Sequence, residues 1–323
     1  MIGTTAMAFV AMWLVQSESA AADDIGKYPD KPVRVVLGFS AGSPPDIASR
    51  VIGEKLTETW KQPFLTEYRV GAGGGLAAQS VARAAPDGHT LLGVSASHVI
   101  LPAISSTTLY SAEDFAAITT TIGVPNVLVV NSSLGVKSVK ALVAMAKAKP
   151  GELLFSSGGV GSGTHFSAEL FKSLSAIEVR HVPYKGIPEA LTEVAAGRIH
   201  FTFSPLSNVL PLVSTGEVVV LGVAPARRAA ALPNVPTLAE AGVAGYSWDT
   251  WFGLLAPAKT SPAIVRALNR EIVRIIQLPD VKKRWELIGA EALPMTPEEF
   301  NKYLSDQSQL VTKLVKAANI QAK

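Results

Sequence analysis

From Val33 onward the chain alternates apolar runs of strand length with stretches in which apolar residues recur at helical spacing. Val33 to Phe39, Leu91 to Val94, Val127 to Val130, Leu153 to Phe155, Val179 to Val182, Ile199 to Phe203 and Val218 to Val223 read as buried strands. Between them, Ile47, Val51, Leu56 and Trp60 mark one helix face, and Phe166, Leu170, Phe171 and Leu174 mark another. Parallel strands need crossover connections, and helical crossovers cover both faces of the sheet they serve. The fold class is therefore α/β, with mainly parallel sheets flanked by helices.

After about Leu255 the strand pattern stops. Ile264, Leu268, Ile272 and Ile275 keep the helix period, as do Phe300, Leu304, Val311 and Leu314, and Thr296-Pro297-Glu298-Glu299 opens the last helix with a capping box and an early proline. A chain of 323 residues suits two lobes. Two strand-like segments, Ala116 to Val130 and Trp248 to Leu255, fall where the chain passes between lobes. Such a pair makes a hinge and leaves a ligand site in the cleft. The expected division is a leader at 1–22, one lobe from 23–122 and 249–323, and a second lobe from 123–248.

Ala6 to Val15 is an unbroken apolar run of ten residues, followed by Ser17 to Ala22 with small residues at Ala20 and Ala22. This matches the core and cleavage site of an export signal, being shorter than the ~20 residues a spanning helix needs, although no Lys or Arg precedes the run. Hydrophobic residues make up 48% of the chain and charged residues 17%, the balance of a packed globular protein, with a net charge of +3 and no basic stripe interleaved with aromatics; no nucleic-acid partner is expected. The absence of cysteine excludes disulfides, thiol catalysis and zinc fingers. None of the five histidines has metalloprotease spacing, so neither a metal nor a cofactor is expected.

The loops after the strands carry the functional signal. Phe39-Ser40-Ala41-Gly42-Ser43-Pro44-Pro45-Asp46 places Ser43 as N-cap, Pro44 at the first helical position and Asp46 three residues after the cap. A helix start of this kind exposes backbone N–H groups and partial positive charge, enough to hold a carboxylate without an arginine. The same arrangement recurs from Ser156 to His165, where Ser157, Gly158, Gly161, Ser162, Thr164 and His165 are candidate contacts. That loop lacks the lysine of a phosphate-binding loop. Gly71 to Gly75 fails the dinucleotide pattern because Leu76 takes the last glycine position, leaving Gly73 and Gly74 as a second ligand loop or a bare turn. Gly93-Val94-Ser95-Ala96-Ser97 falls one glycine short of a nucleophile elbow, so a serine hydrolase is the weaker alternative.

With these loops in place the chain resembles the Bug family of extracytoplasmic solute receptors, the binding components of tripartite tricarboxylate transporters. The carriers are Tyr28-Pro29-Asp30-Lys31-Pro32, Gly71-Ala72-Gly73-Gly74, Ala85 to Leu92, Val182-Pro183-Tyr184-Lys185-Gly186, Leu232 to Thr237 with Glu240-Ala241-Gly242, and Trp251 to Pro257, spread from about Tyr28 to Ile320. The resemblance implies a two-lobed type II periplasmic-binding-protein fold that closes on an organic acid and acts on it by binding alone, as a monomer serving a membrane permease. A sensor role, presenting ligand to a signalling protein, stays open beside it. The family's carboxylate contacts map onto the Phe39 to Asp46 loop, onto Ser95, Ala96 and Ser97, and onto the facing loop from Ser157 to His165. Tyr184 and Lys185 lie near the cleft, Lys185 as a partner for a second carboxylate. Two departures matter. The first loop reads Gly42-Ser43-Pro44-Pro45 where the family carries Gly-Gly, and the two prolines supply no N–H. Ser204 stands where many members carry an acid, which disfavours an amino-acid ligand and favours an apolar, aliphatic or aromatic, carboxylate.

Overall fold

The computed structural model describes residues 25–105 and 109–318, so the expected leader at 1–22 lies outside the described residues. In chain order one sheet receives β1 (Val33–Leu37), β2 (Phe64–Tyr68), β3 (Thr90–Ser95) and β4 (Phe115–Gly123). The chain then crosses to a second sheet of β5 (Asn126–Asn131), β6 (Leu154–Ser157), β7 (Arg180–Pro183), β8 (Phe201–Pro205) and β9 (Val218–Val223), and returns to the first as β10 (Trp251–Pro257) and β11 (Glu291–Ala292). The sheet orders are β11-β4-β10-β3-β1-β2 and β7-β6-β8-β5-β9. Helices α1 (Pro44–Trp60), α2 (Gly75–Ala82) and α3 (Ser97–Ile104) connect strands of the first sheet. Helices α4 (Val139–Ala148), α5 (Gly163–Ser175), α6 (Ile187–Ala195) and α7 (Leu206–Ser214) connect those of the second. Helices α8 (Pro262–Ile276), α9 (Pro279–Leu287) and α10 (Pro297–Ala318) close the chain.

The sheets are mixed rather than mainly parallel. β1 pairs in parallel with β2 and β3, and β6 with β7 and β8. In contrast, β10 runs antiparallel to β3 and β4, and β5 runs antiparallel to β8 and β9. The cause is the double crossing. From β1 to β4 and from β6 to β9, each strand reached through a local helix runs toward the cleft, whereas β5 and β10 arrive from the other sheet at the cleft edge and run away from it, and the short β11 runs antiparallel to β4 as well. Two strands also escape the periodicity. β2 lies at one edge with only Phe64 buried and Leu65 53% exposed, and β11, at the other edge, is two residues long.

Each central strand is covered on both sides. Val33, Val35 and Leu37 of β1 join one apolar cluster, which also holds Val127, Val129, Ile272 and Trp285. Val36 joins the other, with Leu128, Val130, Phe155, Phe166 and Trp248. This two-residue alternation between opposite faces explains why the strands read as continuous apolar runs. Both clusters continue through the two sheets, so the lobes share apolar layers at the crossing.

The last helix is held by local chemistry and one aromatic anchor. Thr296 N–H donates to the Glu299 carboxylate at 2.8 Å while Glu299 N–H donates to Thr296 Oγ1 at 3.2 Å, the reciprocal box its sequence predicts. Phe300, fully buried, meets the Trp251 ring edge to face at 5.6 Å and lies over Gly253, where an added Cβ would stand 2.6 Å from the Phe300 ring. Phe300→Ala is expected to lower the unfolding free energy by about 3–5 kcal/mol in urea titrations, because the cavity opens between a helix and a central strand that cannot collapse together.

Candidate functional site

Helix starts gather on one small cleft between the sheets, which with its solvent-filled mouth encloses about 560 Å³ of space. Strands β1, β3, β6, β7 and β8 all run toward it, and the helix after each strand, α1, α3, α5, α6 and α7, begins at its wall through Ser43 and Pro45, Ala96, Ser162 to Thr164, Gly186 and Ile187, and Pro205. Five macrodipoles thus present their positive ends to one small volume. The crossings complete the wall with Asn126, at the start of β5, and Thr250, just before β10. They are tied together: Val124 N–H donates to Thr250 O at 3.1 Å, and Ala224 N–H to Asn126 O at 2.8 Å.

The two loops named from sequence contribute in different ways. In the first, Ser43 is the N-cap of α1 but its hydroxyl donates backward to Ser40 O at 2.6 Å and caps no N–H of the helix. Pro44 and Pro45 remove the first two helical donors, so α1 offers its dipole and the apolar face of Pro45. In the facing loop, Ser162 Oγ accepts from His165 N–H at 3.2 Å, and Thr164 Oγ1 accepts from Gly158 N–H at 3.0 Å. Helix geometry leaves the Gly163 and Thr164 N–H groups without an intrahelical acceptor, and both residues line the cavity. Lys185 is the single cationic side chain among the lining residues. Phe39 and Phe252 meet edge to face with centroids 6.1 Å apart and, with Ile187 and Pro205, make the remaining wall apolar.

Of the candidate residues, Phe39, Ser43, Ser95, Ala96, Gly158, Ser162, Thr164 and Lys185 line this cavity. Others lie at the rim, where the lobes touch. Gly42 O accepts from Asn208 Nδ2 at 3.5 Å across the cleft, with Ala41 and Pro44 exposed and buried beside it. A Cβ at Gly73 would stand 2.7 Å from Val160 O, and one at Gly161 would overlap Leu101. Gly74 packs behind the first loop, its Cα 2.5 Å from a Cβ built at Gly38. A third set is structural. Ser97 Oγ pairs with Ser95 Oγ at 3.1 Å, Ser204 is fully buried with its hydroxyl 3.4 Å from Pro205 O, and Tyr184 is half-buried beside Glu193. Ser157 is fully buried, its Oγ 2.7 Å from His181 Nε2, and His165 stacks on His181 at 4.3 Å while its Nδ1 accepts from Gly161 N–H at 3.2 Å.

The Ser157–His181 pair has the contact of a nucleophile and base, but burial, with the neighbouring His165 and Lys172, pushes His181 down to about 3, and Ser157 has no open face. Burial likewise holds His98 at about 4, its ring stacked on Tyr110 at 4.9 Å. The pairs brace loops. Residues that sequence reasoning passed over are Gly38, Ser40, Pro45, Asn126, Gly163, Gly186, Ile187, Pro205, Thr250 and Phe252. Most sit within two positions of a named residue; Asn126 and Thr250 carried the hinge signal without a site signal.

Asp46, expected in the ligand loop, turns away from the cavity. Its buried carboxylate accepts from Gly42 N–H at 2.8 Å, Tyr68 Oη at 2.6 Å and Arg50 Nε at 2.8 Å. Burial opposes its charge, but the Tyr68, Gly42 and Arg50 donors outweigh burial and hold the carboxyl below the ordinary aspartate range. The stability it contributes is therefore complete above the unfolded value of about 4 and is lost as pH falls through the lower folded value. Asp46→Asn is expected to destabilise the protein at pH 7 and to flatten the acid limb of its stability curve, read by urea unfolding between pH 7 and pH 3.

The chain's relatives fit this geometry. The family model of the tripartite tricarboxylate transporter family receptor matches residues 48–320. Protein BugT of Bordetella pertussis is 30% identical over 309 residues, covering 95% of each chain. Among solved structures, R. palustris Rpa4515 with adipate is 34% identical with a TM-score of 0.88, covering 91% of this chain and 99% of that one. MatC from Rhodopseudomonas palustris with bound malate is 28% identical with a TM-score of 0.84, covering 89% and 100%, and periplasmic binding protein BugD is 25% identical with a TM-score of 0.87, covering 92% and 100%. The chain belongs to the tripartite tricarboxylate transporter receptors, the Bug family, which are substrate-binding proteins and not enzymes.

Proposed function

We propose that this receptor captures a small organic carboxylate, mono- or dicarboxylate, aliphatic or aromatic, in the periplasm and delivers it to a membrane permease of the tripartite tricarboxylate type. The observation that carries the reading is the convergence of five helix starts on an apolar-walled cavity with one cation. An anionic group is stabilised there by dipoles and free N–H groups, and the apolar wall accepts the rest of the acid. Adipate and malate in the related R. palustris structures support the same chemistry. Export would use the leader at 1–22, and the receptor would act as a monomer. Lobe one (23–122 and 249–323) and lobe two (123–248) would close about the paired crossings, which line the cavity through Asn126 and Thr250. Lys185, reaching in from the second lobe, would meet a second carboxylate and reward closure.

A thermal-shift screen of mono- and dicarboxylates tests the reading. An acid held at 100 times its Kd is expected to stabilise the protein by about 2.7 kcal/mol. Trp248 and Trp251, buried beside the crossings, should report the same acids by a change in emission. A panel in which no organic acid moves either signal would overturn the proposal. In the same assay Lys185→Met is expected to weaken dicarboxylates more than monocarboxylates of equal length. Gly73→Ala, which sets a methyl against Val160 O across the cleft at a left-handed φ of 60°, is expected to cut the ligand-induced shift by more than half. Its cost to the ligand-free protein should be only about 1 kcal/mol of backbone strain.

A further inference from the structure

The two residues contributed to the cavity by the crossings each hold a polar atom that the described protein leaves unanswered. Asn126 is fully buried, and its Oδ1 has no hydrogen-bond partner among the described residues; Thr250, 9% exposed, has an Oγ1 in the same condition. A buried polar atom left unpaired is costly, so two of them on residues that line one cavity call for a partner within it.

The orientation of the Asn126 amide is set by its neighbour. Ser167 Oγ donates to Gly163 O at 2.8 Å, which commits its proton. It can then only accept, and Asn126 Nδ2 donates to it at 3.3 Å. The amide nitrogen is thus engaged with α5, and the free atom is the carbonyl oxygen. A carbonyl oxygen repels a carboxylate and needs a donor. The Thr250 hydroxyl, on the neighbouring crossing, can give or accept one hydrogen bond. The helix starts serve an anion on the lobe faces, while the crossings form a separate polar point that serves a donor.

We infer that the acid bound by this receptor carries a hydroxyl group, which donates to Asn126 Oδ1 and accepts from Thr250 Oγ1. This rests on the carboxylate-receptor reading and narrows its substrate class from organic acids to hydroxy acids. It combines with the apolar wall of Phe39 and Phe252 to describe a ligand with an apolar body, an anionic end at the helix starts and a hydroxyl at the hinge. A hydroxyl can both donate to Asn126 Oδ1 and accept from Thr250 Oγ1, whereas an ammonium group can only donate and finds no carboxylate among the lining residues to pair its charge.

Matched pairs of acids differing by one hydroxyl provide the test: succinate and malate, adipate and 3-hydroxyadipate, 3-phenylpropionate and phenyllactate, benzoate and 4-hydroxybenzoate, each titrated by calorimetry against the wild-type chain, Thr250→Val and Asn126→Leu. In at least one pair the hydroxy acid is expected to bind about tenfold or more tighter than its parent, the usual worth of a hydrogen bond to a buried partner. Thr250→Val, which keeps the side chain's shape, should cut that preference several-fold without weakening the parent acid, and Asn126→Leu should abolish it. Circular dichroism melting of the ligand-free variants separates misfolding from loss of the contact, and Thr250→Val keeps the test decisive if Asn126→Leu does not fold. Equal binding of both members of every pair, or a hydroxyl preference that survives in Thr250→Val, overturns the inference and leaves the carboxylate receptor standing. Failure of all eight acids to bind the wild type overturns both.

Discussion

A parallel strand can be re-entered only after its chain has been carried back over the sheet, and in this protein that geometric requirement sets the position of nearly everything else. Each of β1, β3, β6, β7 and β8 ends at the cleft and is followed by a helix that must start there. The positive ends of five helices consequently meet in one cavity, and its positive potential follows from connectivity before any charged side chain is chosen. The result is a site with a single lining lysine and no arginine.

The double crossing adds the second constraint. Because β5 and β10 enter their sheets from the cleft side, both sheets are mixed, and the residues just before or at the start of these strands face the cavity. The hydrogen bond from Val124 to Thr250 O ties the crossings side by side. The cavity wall and the crossings between the sheets therefore share residues. Apolar clusters that run through both sheets pack around these crossings.

Proline has an unusual part in the first loop. Pro44 and Pro45 keep α1 aimed at the cavity while withdrawing two of its donors, and Asp46 is spent on Gly42, Tyr68 and Arg50. Unpaired helix-start N–H groups are thereby fewer in the first loop than in the facing loop, where Gly163 and Thr164 retain theirs. The first loop contributes shape and dipole, and the facing loop contributes N–H groups on the same side as Lys185.

The sequence by itself determined the α/β class, the two crossings, the capping box at Thr296 and Glu299, and the loops from which eight lining residues come. These features depend on local periodicity, on proline and glycine positions and on capping, all of which are written in consecutive residues. Tertiary structure alone decided the rest. β2 and β11 are edge strands with too little buried surface to mark themselves, and strand direction in β5 and β10 depends on which sheet the chain has just left. Within a loop, neighbours such as Ser157 and Gly158, or Ser204 and Pro205, take opposite fates because alternate residues of an extended chain face opposite ways. Asn126 and Thr250 become a polar point of the site only when two segments 124 positions apart are brought together by a backbone hydrogen bond that no local pattern encodes.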